Sequence, residues 1–325
     1  PRPPPRDGTA LARVRARART RMALWARSAP PRRISPWKDV EYPVITGADI
    51  AGDVVELNGT SETVAVGDRV VVYSGLSCGV CDFCLRGEQS MCKRYSILGE
   101  HTRGGFAEYV VVPAKNLQKI SDRIDFVHAA AIPAGFTTAW RLVMTAGQVR
   151  AGDDVLVLAA GGGVGVAAMQ IARAAGARVF AGASTEEKRR QAVEAGAVAA
   201  VDQMTDFSGW VLEQTDGRGV DIVVDSVGAT WPESIRSLVS GGRLVCCGAT
   251  LGNKPSFDIR ELYQKHRSIR GAPMGNRSEF NQVVRMVEQG RLTPIIDSVS
   301  PLANLADAHR RVDSRASFGK VVVTA

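Results

Sequence analysis

The chain has 325 residues, 45% of them hydrophobic, with 33 glycines, six cysteines and a formal net charge of +8. That length suits two domains, each burying its own core, and no apolar run approaches the ~20 residues of a membrane-spanning helix. The basicity is local: residues 1–38 hold eleven Lys or Arg against Asp7 alone, a balance of +10, whereas the other 30 basic and 32 acidic residues give −2.

Within that basic segment, Arg13-Val14-Arg15-Ala16-Arg17-Ala18-Arg19 alternates with period two. The pattern predicts a strand with arginines on one face and small apolar residues on the other, in preference to a nucleic-acid-binding arm. The early prolines oppose the amphipathic helix of a transit peptide. Glycine-marked segments follow, Pro43-Val-Ile-Thr-Gly-Ala-Asp-Ile-Ala-Gly52 and Gly67-Asp68-Arg69-Val70.

Four of the six cysteines then fall together, Cys78, Cys81, Cys84 and Cys92, spaced C-x2-C-x2-C-x7-C. Four thiolates can close a tetrahedral shell around Zn²⁺ and leave no open position for substrate, so the expected role is one structural zinc per chain. An iron–sulfur run would bring its fourth cysteine after three residues with proline behind it; here the gap is seven and Lys93 follows. Two disulfides are the other alternative, disfavoured because a cytoplasmic setting is expected and thiols stay reduced there. Cys246 and Cys247 lie in an apolar run and read as core.

After the cysteines comes Gly99-Glu-His-Thr-Arg-Gly-Gly105. His101 is a candidate proton donor, although a surface histidine beside the cysteine lobe is the preferred reading. Further on, Asp154 to Ala160 predicts a buried parallel strand, Gly161-Gly162-Gly163-Val164-Gly165 a glycine turn, and Val166 to Ala175 a helix. Strand, glycine turn and helix in that order form a dinucleotide-binding entry, where bare backbone lets a pyrophosphate reach the helix N-terminus. Strands over 178–181, 197–201, 221–225 and 242–247, with helices over 186–195 and 231–239, extend this into a doubly wound parallel sheet. The tip of the second strand, Ala181-Gly-Ala-Ser-Thr185, has no acid to hold the ribose of NAD(H). Ser184 and Thr185 with Lys188 can meet a 2′-phosphate, which favours NADP(H) over NAD(H); the alternative makes the basic residues after Thr185 a solvated helix face.

Together with Gly105-Phe-Ala-Glu-Tyr109 and Phe318-Gly-Lys-Val-Val322, these segments resemble the medium-chain dehydrogenase/reductase superfamily. The resemblance implies a GroES-like β-rich catalytic domain, residues 1–125 with the zinc lobe at 78–92 and completed by 272–325, around a Rossmann domain at 126–271. Zinc alcohol dehydrogenases of that superfamily carry a second, catalytic zinc. Its three ligand positions match Thr20, Ala48 and Ala134, and none is a ligand here. The turn Ala159-x-x-Gly162-x-x-Gly165 is similar to the zinc-free quinone oxidoreductase branch, although that branch usually lacks the cysteine lobe. By the same matching, Thr138 touches the nicotinamide, and the segments Cys247-Gly248-Ala249 and Ala272-Pro273-Met274 hold its carboxamide. Trp25, Trp140 and Met274 shape an apolar substrate pocket, with core packing as the competing reading for Trp140, and Thr20 or His101 completes proton transfer.

The expected function is hydride transfer to a quinone, enone or other activated alkene without catalytic zinc, where delocalised charge needs no Lewis acid. The alternatives are an alcohol dehydrogenase-like enzyme, and a catalytically weak cofactor-binding protein whose Arg-rich start binds nucleic acid or a partner. A homodimer or homotetramer, acting on a small molecule and not at a membrane, is expected from the resemblance.

Overall fold

A computed structural model of the protein describes residues 2–19 and 43–325. Thr20 and Trp25 lie outside the described residues. The chain divides into two compact units, one running to Thr137 and resuming over Asn276–Ala325, the other Thr138–Gly275; the expected cuts were at 125/126 and 271/272.

The first unit is built on strands β1 (Thr9–Ala18), β2 (Asp49–Asn58), β3 (Arg69–Val72), β6 (Tyr109–Pro113) and β7 (Leu117–Lys119), joined by β14 (Ile296–Pro301) and β15 (Lys320–Thr324). They form one sheet in the order β14-β15-β1-β2-β3-β7, with β6 also paired to β1. The short pair β4 (Gly75–Leu76) and β5 (Ser96–Ile97) brackets the cysteine lobe. Alternate residues Ala10, Ala12 and Val14 of β1 meet Ile50, Val54, Val70, Val72, Val110 and Val112 in a buried core, the period-two burial that a sheet face requires. Gly52 is needed opposite Arg13, because a Cβ there would sit 2.0 Å from the Arg13 carbonyl oxygen.

The arginines of β1 do not form the solvent face that their alternation predicts. Only Arg15 is exposed, and it pairs with Asp53 at 2.5 Å. Arg13 lies over the Tyr109 ring, 5.9 Å from its centroid. Arg17 is fully buried, donating from Nε to the Gly105 carbonyl at 2.9 Å and from Nη2 to those of Ala107 and Val14; burial pulls its guanidinium down to about 10. Arg19 is also buried and donates to the Ala308 and His309 carbonyls at 3.3 and 2.6 Å. The reason is position: β1 is an inner strand, and a guanidinium there can satisfy carbonyls that would otherwise be buried unpaired.

The second unit is a six-stranded sheet of β8 (Asp154–Leu158), β9 (Arg178–Ala183), β10 (Ala199–Asp202), β11 (Val220–Asp225), β12 (Leu238–Cys246) and β13 (Ser268–Gly271). Every neighbouring pair is parallel, and the order is β10-β9-β8-β11-β12-β13. Every residue of β8 and β11 is buried, as strands covered on both faces must be. Helices Gly163–Ala174, Glu186–Glu194, Phe207–Gln214 and Trp231–Arg236 make the crossovers. The last is shorter than the 231–239 expected, because Leu238 and Val239 already belong to β12. No helix among the described residues is long and apolar enough to cross a membrane.

Candidate functional site

Renumbered within its own sheet, the second unit has strand order 3-2-1-4-5-6, with the reversal between β8 and β11. Ligands of such sheets bind outside the carboxyl ends of the strands at that reversal. There β8 ends, Ala159 takes a left-handed turn (φ 52°), and the helix Gly163–Ala174 starts on Gly162 with no side-chain cap. Gln203 fixes the turn by accepting from the Ala159 N–H at 2.7 Å. A Cβ on Gly165 would lie 2.3 Å from the Ala159 carbonyl oxygen, so this glycine sets how closely helix and strand pack. Gly162 is exposed, Gly163 and Val164 are half-buried, and Gly161 is buried. An uncapped helix start with bare backbone in front of it fits a pyrophosphate, whose charge the free N–H groups and helix dipole attract.

At the tip of β9, Ser184 and Thr185 are exposed. Thr185 caps the next helix by accepting from the Lys188 N–H at 3.3 Å, which leaves its hydroxyl hydrogen able to donate. Arg189 is drawn to Asp202 at 3.2 Å, and Arg190 pairs with Glu187 and Glu194. The cations able to turn toward a phosphate are therefore fewer than the sequence Lys188-Arg189-Arg190 indicates.

The other strand ends follow. Asp225 closes β11 fully buried, accepting from Val227 and Gly228 N–H and from the Thr230 and Ser234 hydroxyls at 2.7–3.1 Å, so the loop beyond it is rigidly tied. Cys247 and Gly248 are half-buried and Ala249 exposed at the end of β12; burial pushes the Cys247 thiol up to about 12, which makes it inert. Ala272 and Met274 are 6% and 1% exposed, Thr138 is 6% exposed, and Trp140 is half-buried. Met274 is thus almost wholly buried.

In the first unit the four lobe cysteines converge as their spacing predicts. Their sulfurs all lie within 4.8 Å of one another, with Cys78–Cys84, Cys81–Cys84 and Cys78–Cys92 at 3.9, 3.6 and 3.5 Å. Tetrahedral thiolates ~2.3 Å from a zinc would stand about 3.8 Å apart. All six cysteines are free thiols. Backbone N–H groups of Cys78 and Arg94 point at the Cys92 sulfur. The Val80 N–H, ahead of other donors, draws Cys78 down to about 5, whereas burial lifts Cys84 to about 11. The donor set therefore fits a closed, structural metal centre of Cys₄ type.

The positions that would hold a catalytic metal are built differently. Ala48 and Ala134 are buried and carry no donor atom. Between them Asp49, fully buried, accepts the Ala134 N–H at 2.6 Å with one oxygen and the Lys320 ammonium at 2.6 Å with the other. Its carboxylate is committed, so these residues do not fit a catalytic zinc. Lys320 was missed in the sequence; its only signal was a lysine heading an otherwise apolar strand.

His101 is 5% exposed, so it is not the surface histidine that the sequence favours. Its Nδ1 accepts from the Ile97 N–H at 3.0 Å. Beside it Glu100 is 5% exposed, and its Oε2 is buried without a hydrogen-bond partner; burial raises its carboxyl to about 7. Glu100 also escaped the sequence reading.

A parallel sheet with a glycine turn at its reversal, in one chain with a GroES-like β unit, defines an NAD(P)-dependent oxidoreductase of two-domain type. Family comparison agrees: residues 6–122 match the alcohol dehydrogenase GroES-like domain and residues 163–289 the zinc-binding dehydrogenase domain. The chain belongs to the medium-chain dehydrogenase/reductase superfamily. It is 29% identical to an acryloyl-coenzyme A reductase of Sulfurisphaera tokodaii over 87% of this chain and 84% of that protein. It is 28% identical to a quinone oxidoreductase of Pongo abelii over 99% and 90%. A solved structure described as an NAD-dependent alcohol dehydrogenase superposes with a TM-score of 0.93 at 40% identity, covering all of this chain and 94% of that one.

Proposed function

We propose that the protein is an NADPH-dependent reductase of activated alkenes, a class that spans quinones, enones and unsaturated acyl thioesters, and that it works without a catalytic metal. The observation that carries this reading is the pair of alanines at 48 and 134 around an Asp49 already bound by Lys320 and the Ala134 N–H. Carbonyl reduction concentrates charge on one oxygen and gains several kcal/mol from a Lewis acid. Addition of hydride to a β-carbon spreads that charge over a conjugated system, where hydrogen-bond donors suffice. The reductase and quinone oxidoreductase named among the relatives support the same chemistry, since both act on conjugated acceptors.

The cofactor, held by the 161–165 turn, supplies the hydride. The absence of an acid at Ala183-Ser184-Thr185, with Lys188 beside it, supports the 2′-phosphorylated form. One zinc in the Cys78, Cys81, Cys84 and Cys92 cage is assigned a structural role, and a cytoplasmic homodimer or homotetramer is the expected form. The contrary reading, alcohol oxidation, is favoured by the 40% identical structure described as an alcohol dehydrogenase. Steady-state assays with NADPH and NADH against enones, quinones, enoyl thioesters, aldehydes and alcohols separate them. Alkene reduction unaffected by added zinc supports the proposal; alcohol oxidation alone, lost on chelation, overturns it.

A further inference from the structure

Alkene reduction consumes one proton for every hydride. Hydride arriving at the β-carbon breaks the C=C π bond and forms a C–H bond. The displaced electron pair, at the α-carbon, must then take a proton. Neither the Asp49–Lys320 pair nor a metal-bound water can give it here: the ammonium is fixed on its carboxylate at 2.6 Å, and the alanines at 48 and 134 hold no metal.

The turn Gly99–Gly104 is stapled to the residue before Ala48. A Cβ on Gly99 would lie 2.4 Å from the Gly47 carbonyl, and one on Gly104 2.4 Å from the same oxygen. Backbone N–H groups of Gly104, Gly105 and Phe106 donate to the Ile45, Gly47 and Thr46 carbonyls at 2.6, 2.8 and 2.9 Å. This turn holds the Glu100-His101-Thr102 segment beside Gly47, the residue before Ala48.

Of the three, His101 cannot be the source. Its Nδ1 lone pair takes the Ile97 N–H, so the ring is neutral with its proton on Nε2. Protonating Nδ1 would set two donors against each other, and losing the Nε2 proton would leave an imidazolate. The Thr102 hydroxyl, buried without a partner, is far too weak an acid. Glu100 differs: its Oε2 is buried without a hydrogen-bond partner, and a carboxylate so placed is strongly disfavoured against the neutral acid.

We propose that Glu100 stores the proton that completes the reduction, passing it toward the α-carbon and being recharged from solvent. This rests on the alkene-reductase reading above. Glu100 acts through intervening groups, so it is a positioning residue for the proton and not a group in contact with substrate. Burial alone raises its carboxyl to about 7. The charged groups on the described segments packed against the turn are engaged elsewhere: Asp49 with Lys320, Glu108 beside Arg17, and Arg103 exposed to solvent.

The test compares the protein with its Glu100→Gln, Glu100→Asp and His101→Asn variants, each checked for an unchanged circular dichroism spectrum. With NADPH and an enone, wild-type kcat is expected to fall as pH rises through about 7. Glu100→Gln is expected to lose roughly 10²-fold in kcat, with KM little changed and the pH limb gone. Glu100→Asp restores the limb, and His101→Asn keeps it. Independently of turnover, infrared difference spectra across that pH are expected to show a protonated-carboxyl band that Glu100→Gln lacks. A limb unmoved in Glu100→Gln, or a band that survives it, overturns the proposal. A wild type that shows the band but reduces no alkene overturns the functional reading itself.

Discussion

The buried pair of Asp49 and Lys320 gives the sharpest prediction for the first unit. Both groups are nearly or wholly inaccessible, 0% and 5% by side chain, and each Asp49 oxygen has one partner at 2.6 Å. Removing one member leaves the other charge buried without a counterion, which costs about 3–5 kcal/mol. Lys320→Met and Asp49→Asn should each fall in that range, and at 2–4 °C per kcal/mol the melting temperature should drop by roughly 6–20 °C. In the double variant, Asn can still accept the Ala134 N–H and Met fills the lysine's space. That combination should return to within about 1 kcal/mol of wild type, since a buried ion pair seldom outweighs an apolar replacement. Urea unfolding of the four proteins gives the coupling directly. If Lys320→Met alone unfolds within about 1 kcal/mol of wild type, the buried-charge argument is wrong.

Other outcomes are expected. Metal analysis should find one zinc per chain, and Cys92→Ser should abolish it and lower the melting temperature, because a three-sulfur shell no longer closes the tetrahedron. Ser184→Asp should shift the ratio of kcat/KM for NADPH over NADH by at least ~10-fold toward NADH, by placing a carboxylate where a 2′-phosphate would sit and a ribose hydroxyl could bind it. Glu100 also predicts a pH dependence of stability. Its folded value, about 7, is raised above the ordinary 4.5, so the folded protein binds the extra proton between them. Its contribution is full below pH 4.5 and disappears as pH rises through about 7, a change on the order of 3 kcal/mol that Glu100→Gln should remove from the unfolding curve.

Sequence reading reached the parts of this protein where local chemistry dictates geometry. The four cysteines had to meet, because fifteen residues with that spacing have few other places to go. The glycine turn after β8 and the buried runs of β8 and β11 carry their parallel-sheet pattern in the residues themselves. Alternation in β1 was read correctly as a strand and wrongly as an arginine face. What decides the burial of Arg17 and Arg19 is the strand's neighbours, and those come from residues 105–107 and 308–309. Asp49 was known only as a changed motif position until its partner arrived from Lys320, 271 residues later. Glu100 was invisible for a related reason: nothing in its immediate sequence announces that one oxygen of its carboxyl is buried without a hydrogen-bond partner.

The placement of β1 has a consequence for how the protein is made. Its Arg17 pairs with Val323 of β15, and Arg19 reaches the Ala308 and His309 carbonyls, so this strand needs one that is translated far later. At ~5–20 residues per second, those partners arrive roughly 15–60 seconds apart. The Thr138–Gly275 unit is continuous and can fold as it emerges. During that interval β1 is a nascent arginine-rich segment with one edge unpaired, the natural client of a chaperone. Truncating the last few residues should therefore trap a product whose middle is folded and whose beginning is not.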